Sequence, residues 1–226
     1  SKKIALVHDW LVSQRGGENV LEAICEIFPN ADLFTLVHIP GSVSPTIEKR
    51  KITTSFLQDV PYSQKIYRHL LPLMPIAIEK LDLSSYDLVV SSSHCVAKGV
   101  RLSKNTLHLS YVHAPMRYMW DRFDEYFSPG RYGFLTRSAA RFMRRYLQSW
   151  DKKSSKNVSL ILANSNFISS KIFEFYERKA DVVYPFCNAD AFSIKREPGH
   201  FYLMVTALVP YKRVDLAIDA FSKLKK

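Results

Sequence analysis

Short apolar runs rich in β-branched residues recur along the chain, several of them stopping at a histidine, a serine or a proline. Runs that are hydrophobic at successive positions mark strands covered on both faces, the habit of a parallel sheet. They predict strands over residues 4–10, 32–38, 88–94, 107–112, 158–163, 181–185 and 201–208. Between most of these, apolar positions return at helical spacing. Val20, Leu21, Ile24, Ile27 and Phe28 form one such face, with Glu18, Glu22 and Glu26 opposite. Further faces are set by Ile168, Ile172 and Tyr176, and by Val214, Ala217, Ile218, Phe221 and Leu224. The stretch 63–83 is helical in pattern, but Pro72 and Pro75 divide it into two short helices. Strands alternating with helices in this way predict the α/β class, a Rossmann-like doubly wound parallel sheet.

Ligands of open α/β sheets sit beyond the carboxyl ends of the strands. That rule singles out His113, which directly follows the run Leu107–Val112 and precedes Pro115, Arg117 and Asp121. Pattern alone leaves a hydrogen-bonded core histidine and a reactive one both open. His94, at the end of its own run, stands in the same position, while Asp9, Arg117 and Asp121 are cleft candidates or bridges between loop ends. The first run, the turn at Gly16 and Gly17 and the helix after it open like a mononucleotide-binding unit. Glycines there let amides at a helix start approach an anion; a plain tight turn explains them as well. Asn164 and Ser165 cap the helix that follows 158–163, and amides at that helix start are a second place to meet a phosphate.

Charge changes the picture most along 134–150. Leu135, Ala139, Phe142, Met143, Tyr146, Leu147 and Trp150 fall on one side of a helix, and Arg137, Arg141, Arg144, Arg145 and Lys152 on the other. Residues 131–157 carry a net +7 of the chain's +11. The basic face is either simply solvated or docks on an anionic surface, and its tryptophan suits a helix lying at a lipid interface. At 226 residues, 47% hydrophobic and 23% charged, the chain is an ordinary globular protein rather than a disordered one. Cys25, Cys95 and Cys187 are widely spaced and include no C-x-x-C pair, so neither a disulfide framework nor a zinc site is expected and a reducing compartment fits. The first apolar run is too short for the core of a signal peptide, and no apolar stretch is long enough to span a bilayer. The expected domains are 1–187, a polar linker at 188–200 ending in Pro198-Gly199, and 201–226 as the first strand and helix of a second Rossmann-like domain. One strand and one helix cannot bury a core, so the second piece is expected either to dock on the first or to belong to a longer protein.

Taken together, a set of short motifs resembles the retaining glycosyltransferases of family four, which have the two-domain GT-B architecture. The likeness is to the mannosyltransferase subgroup that builds O-antigen and related polysaccharides. The motifs are Val7-His8-Asp9-Trp10-Leu11 with Gly16-Gly17-Glu18, Tyr111-Val112-His113-Ala114-Pro115 with Tyr118-Met119-Trp120-Asp121, and Ala163-Asn164-Ser165. They continue with Val182-Val183-Tyr184-Pro185 and Ala207-Leu208-Val209-Pro210-Tyr211-Lys212-Arg213-Val214-Asp215, in the family's order. The resemblance implies an acceptor-side N-terminal domain and a nucleotide-sugar-binding C-terminal domain, with no cofactor beyond the donor, GDP-mannose by the subgroup. It implies Gly16 and Gly17 near the donor phosphate, His113 near the reacting sugar and Lys212 against the diphosphate. Thr206-Ala207 stand where the family commonly has Gly-Arg, so the usual arginine is absent and Arg213 is the candidate to replace it. No D-x-D triplet is present, in keeping with a metal-independent reaction that uses cations and helix amides. The implied acceptor is a lipid-linked saccharide at the inner face of the cell membrane, without nucleic acid. The family's paired glutamates belong to a part of the second domain not found in 201–226, so these 226 residues alone are expected to be inactive or very weak. The alternative is a non-catalytic Rossmann-like module that binds a membrane or a phosphate. A dinucleotide oxidoreductase is disfavoured because no G-x-G-x-x-G follows the first run.

Overall fold

The computed structural model describes residues 2–121, 123–126, 134–186, 199–206, 208 and 212–224. The chain divides into two compact units, Ser1–Phe186 and Cys187–Lys226. In the first, seven parallel strands form one sheet: β1 (Ile4–His8), β2 (Asp32–Thr35), β3 (Ile52–Thr54), β4 (Leu88–Ser93), β5 (Leu107–Val112), β6 (Leu160–Ala163) and β7 (Asp181–Val182). Their order is β3-β2-β1-β4-β5-β6-β7. Helices α1 (Gly16–Ile27), α2 (Pro45–Glu48), α3 (Ser63–Ile66), α4 (Met74–Glu79), α5 (Phe123–Tyr126), α6 (Phe134–Ser155) and α7 (Asn166–Tyr176) connect and cover them.

Alternation along the strands feeds two cores at once. Ala5, Val7, Phe34 and Val89 join Met74, Ala77, Ile78, Met116 and Leu147 on one side; Leu6, Leu33 and Val90 join Leu21, Cys25 and Ile47 on the other. Successive side chains of a strand point to opposite faces, so a run hydrophobic throughout is what two covered faces require. A third cluster seats Val112, Ile161 and Ala163 on Ile168, Ile172 and Tyr176 of α7. The proline-rich stretch breaks as its residues demand: Pro72 sits in a 3-10 helix, Tyr67–Leu73, and Pro75 lies in the first turn of α4, where its missing N–H is no loss. Ser165 caps α7 by accepting the Ile168 N–H at 3.2 Å.

Several expectations need correction. Strands β1, β2, β6 and β7 are shorter than their apolar runs, and β3 was not visible as a run at all. Glu18 is buried rather than part of the outer face of α1, while Ile27, at the end of that helix, is 69% exposed. α6 runs on to Ser155. In the second unit, described residues 201–206 form no strand, since a strand needs a neighbour to pair with and none is present among the described residues there. The helix α8 (Val214–Ser222) does form, but it buries none of its residues; the rings of Tyr202 and Phe221 lie 4.7 Å apart between centroids. Most of the expected linker, 188–198, and Cys187 lie outside the described residues.

Candidate functional site

The strand order reverses direction at β1. From there the chain steps outward through β2 and β3 on one side and through β4, β5, β6 and β7 on the other. Crossovers that leave in opposite directions open a crevice at the carboxyl ends of the two strands between them, here β1 and β4. His8 ends β1 opposite Ser92 of β4, and Ser93 lies opposite Val112, the residue before His113. The result is a buried row of side chains. Ser92 Oγ is 3.0 Å from His8 Nδ1 and 2.8 Å from His113 Nε2. The backbone of His113 is held as well: its N–H donates to Ser93 O at 2.8 Å, and its carbonyl accepts Asn164 Nδ2 at 2.9 Å.

Asp9 has a different task from the one its position at a strand end suggests. Fully buried, it accepts four backbone amides of the turn after β4: His94 and Cys95 on Oδ2 at 2.7 and 3.0 Å, Val96 and Ala97 on Oδ1 at 2.6 and 2.7 Å. Both oxygens are thereby occupied. Its effect on the crevice runs through His94, whose Nδ1 lies 3.1 Å from Oδ2 and whose ring meets Trp10 edge-on at 4.5 Å.

Helix α1 supplies the third wall. Glu18, in its first turn, turns back so that Oε2 accepts the Arg15 N–H at 3.0 Å while Oε1 lies 3.6 Å from His8 Nε2. Gly17 passes close over the histidines. A Cβ there would stand 3.8 Å from both His113 Nε2 and His8 Cε1, filling space that the glycine leaves open. A cavity of about 300 Å³ opens beside these groups, lined by Trp10, Arg15, Gly17, Arg68, His94 and His113 among others. Its size and its mixture of aromatic, cationic and imidazole groups suit a small polar ligand.

Burial governs the charges. It pushes the imidazolium of His113 down to about 3, with the His8 and His94 charges adding and Asp9 and Glu18 opposing. Burial likewise brings His108, inside β5, down to about 4, with Lys98 adding to the effect. For Asp9, burial alone would raise the carboxyl, but His94, His8 and the amides outweigh it and the net shift is downward. Glu18 follows the same balance, with His8 as the main counterweight. His113 and His108 are therefore neutral when folded, whereas the unfolded chain protonates them below about pH 6.5. The unfolded state then binds more protons, so stability falls as pH drops from about 6.5 toward the folded values. At pH 4.5 each of these two histidines is expected to cost about 2–3 kcal/mol. Urea unfolding of wild type and His108→Gln between pH 7 and 4.5 checks this: the variant should lose less stability over that range, and equal slopes would remove His108 from the account.

The other sequence candidates fall into three groups. Gly16 begins α1 next to Gly17, and Asn164 and Ser165 hold the loop under His113, with Ser165 Oγ donating to Asn164 Oδ1 at 3.1 Å. Arg117 and Asp121 are exposed in the segment after β5, where Arg117 contributes to the electrostatics of His94. Lys212 and Arg213 belong to the second unit. Arg213 adopts a left-handed φ of 49° before α8, and its Nε donates to both Asp215 oxygens at 3.2 Å. On α6, Arg141 and Arg145 are exposed. Arg144 is not part of a free cationic face: its Nε and an Nη donate to the carbonyls of Met119 and Trp120, both at 2.8 Å. The side chain of Arg137 lies outside the described residues. Sequence reasoning passed over Ser92, Glu18, Arg15, Tyr67 and Arg68 as site residues, and gave His8 no role of its own. A signal existed for His8 and Ser92, which end apolar runs as His113 does, and for Glu18, which stands in the motif Gly16-Gly17-Glu18.

Among the described residues no group of His, Cys, Asp and Glu is arranged to hold a metal ion, and no helix is long and apolar enough to cross a membrane. No family model and no curated protein matches the chain.

Proposed function

We propose that the chain is part of a retaining hexosyltransferase. It would move a hexose, mannose from GDP-mannose in the first instance, from a nucleotide-sugar to a lipid-linked saccharide in cell-surface polysaccharide synthesis. The observation that carries this reading is the crevice at the β1/β4 switch point, where Gly17 at a helix start and the neutral His113 face one cavity of ligand size. The motif resemblance supplies the chemistry. In it Gly16 and Gly17 approach the donor phosphate, His113 meets the sugar, and Lys212 and Arg213 balance the charge that grows on the departing diphosphate. A neutral imidazole suits a hydroxyl-bearing sugar, with which it exchanges hydrogen bonds without the desolvation cost of a buried cation.

Sugar transfer from a panel of guanosine and uridine diphosphate hexoses tests the proposal. It should be run on these 226 residues and on the form carrying whatever sequence continues them in their source. His113→Ala is expected to lower turnover about 100-fold through lost positioning while leaving the fold intact. An undiminished rate removes His113 from the chemistry, and no transfer by either form with any donor overturns the enzyme.

One observation favours a lipid surface as the place of work, whether or not turnover occurs. Phe142 is 75% exposed and Tyr146 40%, on the same open face of α6 as the exposed Arg141 and Arg145. Aromatic rings beside cations on a solvent face match a helix lying at an anionic interface. Sedimentation with phosphatidylserine vesicles should then weaken roughly fivefold for each of Arg141→Gln and Arg145→Gln, and further in high salt. Binding indifferent to lipid charge and to these changes would discard the surface.

A further inference from the structure

The row Glu18, His8, Ser92 and His113 has a direction, and Glu18 sets it. Above the ordinary titration range of imidazole each ring carries one proton, so each offers one donor and one acceptor. Ser92 Oγ has a single hydrogen and two histidine nitrogens to satisfy, His8 Nδ1 at 3.0 Å and His113 Nε2 at 2.8 Å. It must donate to one and accept from the other. Two arrangements satisfy the serine equally, and they differ at the far end of His8. In one, Nε2 of His8 presents a bare lone pair to the Glu18 carboxylate 3.6 Å away; in the other it presents its N–H. A carboxylate is an acceptor only, so its charge favours the second, and that nitrogen makes no hydrogen bond of ordinary length to any described group.

We infer that Glu18, His8 and Ser92 act as positioning residues that hold His113 in the tautomer with its proton on Nε2. His8 keeps its proton on Nε2 toward the carboxylate, its Nδ1 accepts from Ser92, and Ser92 accepts from His113. The Nδ1 of His113 is left as a bare acceptor, and no described residue hydrogen-bonds to it. His113 lines the cavity, and a bare ring nitrogen offered to a ligand takes a hydrogen bond from a hydroxyl and repels a phosphate or carboxylate oxygen. That assigns the hydroxyl-bearing part of a ligand, rather than its anionic part, to the His113 end of the cavity. The meaning for transfer rests on the proposed function, but the tautomer itself does not.

Its test is the nitrogen spectrum of the histidine rings in the full chain at pH 8, read by long-range proton–nitrogen correlation. The charged and titratable groups around His113 are His8 of β1, Asp9 and His94 in the turns after β1 and β4, Glu18 of α1, Tyr111 of β5, Arg15, Tyr67 and Arg68 in the same cavity lining and, through His94, Arg117. A pH titration therefore runs alongside, so that the reading is taken where the ring shifts are flat. Wild type is expected to show a protonated Nε2 and a bare Nδ1 at His113. Glu18→Gln should reverse it. The amide oxygen is kept facing the Arg15 N–H that now meets Oε2, so the amide NH2 donates to His8 Nε2, and each hydrogen bond turns round until His113 carries its proton on Nδ1. Ser92→Ala should cut the link and leave His113 without a fixed tautomer. A protonated Nδ1 in wild type, or a Glu18→Gln spectrum identical to it, overturns the inference. Should that variant fail to fold, the wild-type reading decides alone. No substrate enters the measurement, so a failed transfer assay and a failed tautomer assignment are told apart.

Discussion

Replacing Asp9 with alanine is expected to remove a large part of the stability of the first unit. The carboxylate accepts four consecutive amides, those of residues 94–97, in a turn where Cys95, Val96 and Ala97 are buried. Leaving a buried N–H unpaired costs about 1–3 kcal/mol. Even with relaxation and entry of water, the loss should exceed about 4 kcal/mol, a large part of the 5–15 kcal/mol that holds a typical domain. Asp9→Asn is the finer probe. Its single oxygen can keep two of the amides, but its NH2 then confronts the other two, so a loss of about 2 kcal/mol is expected. Urea unfolding followed by circular dichroism measures both, with an unchanged denaturant slope showing that stability alone has moved. Losses below about 1 kcal/mol for Asp9→Ala would mean that the turn is held by other means. The downward shift of Asp9 adds a pH signature: its contribution is present above the unfolded carboxyl value, near 4, and is lost as pH falls through the lower folded one.

The second large effect lies at Asp151, a buried residue of α6. Its carboxylate takes Lys98 Nζ on one oxygen and, on the other, Trp120 Nε1 at 2.8 Å and Tyr176 OH at 2.7 Å. Lys98 is 1% exposed and Asp151 fully buried, so the cluster ties the turn after β4, the segment after β5, α6 and α7 into one core. Asp151→Ala strands a buried ammonium and two donors, and should cost about 3–5 kcal/mol. Removing both charges together is far milder, because desolvation of the pair nearly cancels its attraction. Lys98→Met with Asp151→Asn keeps an acceptor for the ring donors and should recover most of the loss. A double-mutant cycle is expected to show coupling of about 2 kcal/mol or more. Strict additivity would show that the two charges do not depend on each other.

Much of the site's scaffold could be read in advance. The apolar runs marked β1, β4 and β5, and His113, just past the last of them, marked the carboxyl edge as the place to look for a ligand. The glycine pair marked the start of α1, and Ser165 its role as a cap. Other residues misled for a physical reason. Periodicity placed Phe142 and Tyr146 with Leu147 on one apolar face, yet the unit covers only the arc of Ala140, Met143, Leu147 and Trp150. Arg144 belonged by spacing to the cationic side, but carbonyls 24 and 25 residues back claim its guanidinium. Glu18 looked like one of three outer glutamates, because the demand from His8 and from the Arg15 amide comes from outside the helix.

Legible along the chain was what depends on neighbours a few residues away: where most strands and helices of the first unit form, that the strands are covered on both sides, where the prolines break a helix, and which turns carry glycine. Which strands stand side by side is set by the folded whole. The order that sets β4 between β1 and β5 slips Ser92 between two histidines some 84 and 21 residues distant, and brings the 94–97 amides to Asp9. Local spacing carries no record of such pairings. They are selected when whole elements close on a common core, and there a serine or glutamate of no local distinction acquires its partner.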